Sequence, residues 1–391
     1  MSSYSDKPKQ RVIVLGAGVI GLTTALVLQR SGKYQVLIVS EFKVNPPSPS
    51  SNSTTIDGFE FHDPTTVPAL EMASPYSGSH WRSLATNEDT DLQKKELFTY
   101  QTFMNLTGSD PSAPVKKIDG LDLYFRKNTN SNWHYKHVQQ FRLLSPDELP
   151  KGIKEGASYK TLVINSPKYM VWLYDQYINA GGFFKQARVS RLRDLEDFES
   201  QFYNDGRNSS SYTSDLHIIN CSALGSGKLT DVNDRLMHPV RGQVVLVYAP
   251  QVSRTVTRIG GKFMRYVIPR GDGTVILGGT HLAYDYNEKP DDETTAEILR
   301  ETLELTPELV EHTSTMDPEA RVAELQKKVL AVKVGFRPGR IGGVRLEHDK
   351  FYGKSGNLIK VIHNYGHNGF GIQSSWGYAN AVYSMLQKSK L

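Results

Sequence analysis

Cysteine is almost absent. Cys221 is the only one in 391 residues, so no disulfide can close within the chain, and a reducing compartment is expected. Charge of one sign is not concentrated either. The 46 basic and 41 acidic side chains leave a net charge of +5, and no run of five or more Lys/Arg occurs, so nucleic-acid binding is not expected. Long apolar runs are missing. The nearest approach, Val12 to Leu28, holds three glycines and two threonines, and a mean hydropathy of −0.43 argues against a membrane span. The opening MSSYSDKPKQ is polar and lacks the apolar core of a secretory signal, so none is expected. Internal repeats and low-complexity tracts are lacking, and no metal is expected. What remains is an ordinary globular composition, 38% hydrophobic and 22% charged, long enough for one large or two ordinary domains.

The most informative stretch is Arg11 to Glu41. The run Val12-Ile13-Val14-Leu15 is short and β-branched, as in a fully buried strand. Gly16, Gly18 and Gly21 follow as G-x-G-x-x-G, then a helical stretch from Leu22 to Arg30, then a second apolar run from Val36 to Val39. Gly16 permits the tight turn, Gly18 lets a pyrophosphate approach the backbone, and Gly21 lets helix and strand pack closely. The helix start offers N–H groups and a positive dipole end to phosphates. Glu41 lies 20 residues past Gly21, where a carboxylate suits a ribose hydroxyl. An adenine dinucleotide site is expected here.

Further along, Lys43 to Thr55 carries three prolines and many Ser/Asn and reads as an irregular surface insertion. Asn87 to Thr107 reads as helix, Val115 to Phe125 as strand, and residues 127 to 160 give no clear pattern. Pro167 to Phe184 is an amphipathic helix ended by Gly181-Gly182, and Asp215 to Asn220 is a short buried strand running into a small-residue turn, Cys221 to Gly227. Val240 to Gly279 alternates with period two and reads as antiparallel strands. Asp292 to Leu309 is helical, Leu325 to Val334 strand-like, and Arg337 to Arg345 a basic glycine loop. Lys360 to His363 is a strand before a third glycine turn, Asn364 to Gly371, and Ser374 to Gln387 is the closing helix. Three glycine turns, each after a buried strand, predict an α/β fold. In it a Rossmann-like nucleotide domain (1–110, 160–235 and 335–391) interleaves with a β-rich antiparallel or mixed-sheet substrate domain (111–159 and 236–334).

The chain resembles the FAD-dependent D-amino-acid oxidase family, which includes D-aspartate oxidases, over nearly its whole length. The resemblance rests on VIVLGAGVIGL at 12–22, SPYSGSHW at 74–81, NCSALGS at 220–226, PVRGQ at 239–243, YVIPRGDGTVILGGT at 266–280, GFRPGR at 335–340 and HNYGHNGFGIQSSWG at 363–377. It implies FAD as cofactor and oxidative deamination of a D-amino acid by O2, giving a 2-oxo acid, ammonia and hydrogen peroxide through hydride transfer from Cα to flavin N5. It further implies that Gly16, Ala17, Gly18, Val19, Ile20, Gly21 and Glu41 hold the ADP half of the cofactor. Ser222 and Gly225 match flavin contacts in the second turn, as do Gly366, Asn368, Gly369, Phe370, Gly371, Ile372 and Gln373 in the third. Arg337 matches the arginine that clamps the substrate carboxylate, Tyr266 a tyrosine that hydrogen-bonds it, Gly369 the carbonyl that receives the amine, and Gln373 a residue beside amine and flavin.

The side-chain pocket is expected around Ser79 to Arg82 and Arg258 to Arg265, with His281 close by. An acidic substrate needs a second cation, because burying an unpaired carboxylate is costly. His80, Arg82, Arg258, Lys262 and Arg265 are the candidates. Arginines of mammalian D-aspartate oxidases fall near Arg258 and His281, one a residue out of register and the other a histidine here. A general D-amino-acid oxidase is favoured, with D-aspartate oxidase as the alternative. The remote alternatives are an NAD(P)-dependent dehydrogenase and a non-catalytic nucleotide-binding protein. Ser389-Lys390-Leu391 reads as a peroxisomal address for an import receptor. A homodimer completes the expectations.

Overall fold

A computed structural model describes residues 9–46, 53–63, 65, 67–127, 133–203, 212–311, 317–354, 356 and 358–388. Ser389-Lys390-Leu391 and residues 47–52 of the expected surface insertion lie outside the described residues. No helix among the described residues is long and apolar enough to cross a membrane.

In chain order, β1 (Lys9–Leu15), α1 (Val19–Arg30) and β2 (Tyr34–Ser40) open the fold. A hairpin follows, β3 (Ser53–Ile56) and β4 (Phe59–His62), then α2 (Thr90–Ser109) and β5 (Val115–Tyr124). Next come β6 (Gln139–Leu143), β7 (Glu155–Ile164), α3 (Ser166–Asn179), β8 (Phe183–Gln186) and β9 (Tyr212–Asn220). The β-rich middle is β10 (Met237–Tyr248), β11 (Arg254–Ile259), β12 (Arg265–Pro269), β13 (Thr274–Gly278) and β14 (Leu282–Ala283). The chain closes with α4 (Asp292–Leu305), α5 (Pro318–Lys327), β15 (Val329–Arg340), β16 (Arg345–Tyr352), β17 (Leu358–Tyr365) and α6 (Gly371–Lys388).

Two compact units result: 1–44, 170–239 and 338–391 form the first, 45–169 and 240–337 the second. In the first, the described strands form a sheet ordered β16-β17-β9-β1-β2-β8, parallel except for β16. β2 is buried at every position, as a central parallel strand requires. Ile13, Leu37, Ile218 and Val361 pack on one face with Leu192 and Leu195.

In the second unit, the described strands form a larger mixed sheet ordered β14-β10-β13-β12-β11-β5-β7-β6, with β15 on β10. Its strands alternate with period two. Val245, Val247, Val267 and Leu277 meet Ile298, Leu299 and Leu303 of α4 and Leu325 of α5 on one face. Val244, Leu246, Ile268 and Ile276 face the other way, with Phe59 and Phe61 of the hairpin.

The structure departs from the sequence expectations in four places. Residues 45–110, 160–169 and 335–337 belong with the second unit and 236–239 with the first: Trp81 donates its backbone N–H to Leu162 O at 2.8 Å, and Ile164 donates to Ser79 O at 2.9 Å. Part of the expected surface insertion is instead the β3–β4 hairpin, whose Phe59 ring stacks on Tyr248 at 4.3 Å. Residues 318–327 are helix: Asp317 caps Ala320 N–H, and Pro318 stands at the first helical position, a start signal that the apolar run after Leu325 obscured. The basic stretch after Arg337 is strand as far as Arg340. Pro338 is tolerated because β15 pairs with β10 alone, and the turn proper is Ile341 to Val344, where Gly342 and Gly343 adopt φ of +85° and +84°.

Phe59→Ala removes the ring that covers Tyr248 and should lower stability by about 2 kcal/mol. Thermal unfolding tests this, and an unchanged midpoint would show that the hairpin is not part of the cooperative unit.

Candidate functional site: three glycine turns and a tyrosine–arginine sheet face

The first unit gathers the three glycine turns. β1, β9 and β17 are adjacent parallel strands, with Leu15 opposite Asn220 and Asn220 opposite His363, so the turns that follow them converge at one sheet end. In α/β sheets this carboxyl end is where nucleotides bind. Contacts are close. A Cβ added at Gly16, where φ is +105°, would lie 2.7 Å from Cys221 O; one at Gly21 would lie 1.9 Å from Gly16 O. Both glycines are therefore dictated by backbone-on-backbone packing of the first turn and the strand-to-turn junction at Cys221. Gly18 caps α1 without a side-chain cap bond, and no acidic side chain stands in the first turn, which suits a phosphate. Gly371 lies beside Val19, so the third turn adjoins the start of α1.

Side chains hold these turns. Ala17 N–H donates to Ser40 Oγ at 3.2 Å, an anchor that the sequence reading passed over for its neighbour Glu41. Glu41 is half-buried, with Arg188 at 3.6 Å. Asn220 Oδ1 accepts from Ser222 N–H at 3.1 Å and from Ser222 Oγ at 2.7 Å, so the serine hydroxyl shapes its own turn. The Asn220 amide donates to His363 Nδ1 at 3.1 Å, which leaves Nε2–H for Asp349 at 3.2 Å. In the third turn Gly366 has φ +90° and Asn368 φ +45°, and Asn368 Oδ1 is buried with no partner among the described residues. A cradle closed to any Cβ, a bare helix start and an orphaned buried oxygen fit an adenine dinucleotide. Cys221, packed under this cradle, has its thiol pushed up to about 12 by burial. Gln373 is buried on α6.

The second unit holds the other expected residues, and the pleat sorts them. Tyr266 shares a sheet face with Ile268, Ile276, Val244 and Leu246. Its ring lies against backbone at Gly278, where an added Cβ would meet it at 2.1 Å, and its hydroxyl at Gly279, at 2.7 Å. Arg337 is half-buried. Its Nη1 donates to Thr280 O at 3.2 Å, and among the described residues it has no carboxylate partner. His281 is held below the usual imidazole range by desolvation and by the Arg337 charge.

Of the expected second cations, the three arginines are engaged elsewhere, and Lys262 is exposed, its ammonium 5.4 Å from the ring centre of its neighbour Phe263. Arg265 precedes Tyr266 and so points to the opposite face, where it pairs with Glu297 at 3.1 Å and Glu301 at 3.2 Å of α4. Arg258, opposite Arg265 in register, pairs with Glu301 and, at 3.6 Å, Glu304. Arg82 is buried and donates from Nε to Asp122 Oδ2 at 3.0 Å, an oxygen that also accepts from the hydroxyls of Tyr135 and Tyr159. His80 Nε2 is buried without a partner among the described residues, and burial, reinforced by Arg82, brings its pKa down to about 4. Residues 127–160, unplaced in the sequence, supply this cluster with Tyr135, Tyr159 and His134, which burial and Arg82 bring down to about 3. Asp122 is buried, which opposes ionisation, but the Arg82 charge and the Tyr135 hydroxyl hold its carboxyl below the usual range.

A family model described as FAD dependent oxidoreductase matches residues 11–385. The chain belongs to that family, and FAD is its cofactor. It is 31% identical to a D-aspartate oxidase of Talaromyces thermophilus, covering 96% of this chain and 95% of the relative. It is 29% identical to a D-amino-acid oxidase of Schizosaccharomyces pombe, covering 99% of each. Among solved structures, glycine oxidase from Bacillus cereus aligns at TM-score 0.64 and 16% identity, covering 97% of this chain and 96% of that one. L-alpha-glycerophosphate oxidase from Mycoplasma pneumoniae, with FAD bound, aligns at 0.62 and 13%, covering 97% and 95%. The architecture is thus the two-part fold of FAD-dependent oxidoreductases.

Gly21→Ala puts a methyl into backbone that has no room to move, so the variant should lose bound flavin and unfold earlier; a yellow protein of parental stability would refute the packing argument. His80 and His134 are neutral when folded, with pKa values of about 4 and 3, and protonate when unfolded below 6.5. Stability is therefore complete above pH 6.5 and falls as pH drops toward 4, by roughly 2 kcal/mol per imidazole at pH 5. The midpoint should drop between pH 7 and pH 5, less steeply in His134→Gln; a pH-independent midpoint contradicts this.

Proposed function

We propose that the protein catalyses FAD-dependent oxidative deamination of D-amino acids, with a preference for neutral side chains. The overall change is D-amino acid, water and O2 to 2-oxo acid, ammonia and hydrogen peroxide. When bound, FAD supplies the hydride acceptor and, through O2, the route to peroxide. The protein's part is to hold the substrate with Cα presented for that transfer.

The observation that carries this reading is that Arg337 has no carboxylate partner among the described residues. A half-buried guanidinium with no carboxylate of its own is suited to borrow one from a ligand, as two parallel charge-assisted hydrogen bonds. Tyr266, a polar-tipped ring on a face otherwise lined by aliphatic and aromatic side chains, is proposed to donate to the same carboxylate. The Gly369 carbonyl is proposed to receive the substrate amine, and Gln373 to stand beside it. With the amine arriving neutral, no side-chain base is required.

The neutral preference rests on charge pairing. Arg82, Arg258 and Arg265 each meet an internal carboxylate, and His80 is uncharged at neutral pH. An acidic substrate would find none of these cations free, the remaining candidate Lys262 is exposed, and a second buried carboxylate without a cation is costly. The near-equal likeness to a D-aspartate oxidase favours the acidic alternative, so the test compares both. Peroxide release from D-alanine should exceed that from D-aspartate by at least tenfold in kcat/KM, and Arg337→Ala should lower the D-alanine value by roughly 100-fold. A preference for D-aspartate would overturn the substrate choice; unchanged turnover in Arg337→Ala would overturn the clamp.

A further inference from the structure

We propose that Gly242 is a positioning residue for substrate carboxylate recognition, a role that rests on the reading of Arg337 as the clamp. Gly242 lies inside β10, where a glycine weakens a strand and calls for a reason. Its neighbours have structural duties on the other side of the pleat. Arg241 donates from Nε to Asn287 O at 2.7 Å, and Gln243 donates from Nε2 to Asp291 O at 2.7 Å and to Thr295 Oγ1 at 2.9 Å, tying the strand to the start of α4. By alternation Gly242 falls on the face of Val244 and Leu246, the face of Tyr266.

There it meets Arg337. A Cβ at position 242 would lie 2.4 Å from Arg337 Nη1 and 2.9 Å from both Cζ and Nη2, and these are the three nearest atoms. The guanidinium therefore lies flat against bare strand backbone, with Nη1 directed to Thr280 O. Thr280 is itself fixed on β10, since its Oγ1 accepts from Gln243 N–H at 2.9 Å. The missing side chain is thus the seat of the clamp. Gly242 has no positive φ, so alanine suits its backbone. The clash it creates is with the far end of a flexible side chain, which can swing away. Relief of that clash keeps the fold and loses the orientation of the fork.

The consequence separates stability from recognition. Gly242→Ala should retain FAD and a melting midpoint within about 3 °C of the parent, because a compatible Gly→Ala change reduces unfolded-chain freedom. It should raise KM for D-alanine and the inhibition constant of propionate, a carboxylate with no amine, by a common factor of about 10 to 100, with kcat falling less. Holoenzyme carrying Gly242→Ala, Arg337→Ala and both changes completes a double-mutant cycle. In the Arg337→Ala background, Gly242→Ala should cause no further loss. Unchanged propionate inhibition in Gly242→Ala, an equal further loss in the double variant, or a collapsed midpoint would each overturn the proposal. If Arg337→Ala alone leaves propionate inhibition unchanged, the clamp reading fails; if only Gly242→Ala does, the clamp stands and the seat fails.

Discussion

Pleating of the second unit's sheet is the constraint on which the reading of this protein depends. Adjacent residues on β12 are separated by the sheet itself: Arg265 is drawn to the carboxylates of α4, and Tyr266 to a face of aliphatic side chains and bare glycine backbone. The same alternation on β10 sends Arg241 and Gln243 to the α4 side and leaves Gly242 beneath Arg337. One face is thus charge-saturated and structural, the other sparsely polar, with Arg337 lacking a carboxylate among the described residues. A one-residue slip in either strand would exchange them.

The first unit obeys a different rule, in which backbone must touch backbone. Gly16, Gly21 and Cys221 meet at distances that exclude any Cβ, and Ser40, Asn220 and His363 hold the turns from outside. The cofactor cradle is therefore built chiefly from conformation and proximity rather than from side-chain ligands.

These two constructions were unequally legible in the sequence. The strand–turn–helix at Arg11 to Glu41 could be read because period, glycine spacing and the acid at position 41 lie within one short window. The buried strands before the second and third turns were visible for the same reason. Arg258 and Arg82 could not be judged, because what decides them is a partner far away in the chain: Glu301 lies 43 residues beyond Arg258, and Asp122 lies 40 beyond Arg82. Gly242 is legible only as part of a motif, since its meaning is a contact with a residue 95 positions later. The α5 helix is not legible because Leu325 lies only four residues before the apolar run that opens β15, with no Gly or Pro between them to mark the boundary.

The lone thiol carries a last consequence. Cys221 is buried under the first turn, and its pKa of about 12 keeps it protonated at any physiological pH. Oxidation of cysteine proceeds through the thiolate and needs access. A protein proposed to release peroxide beside its own flavin thus keeps its one thiol from reacting with that product, and the sulfur left for peroxide to oxidise is thioether, as at the exposed Met264.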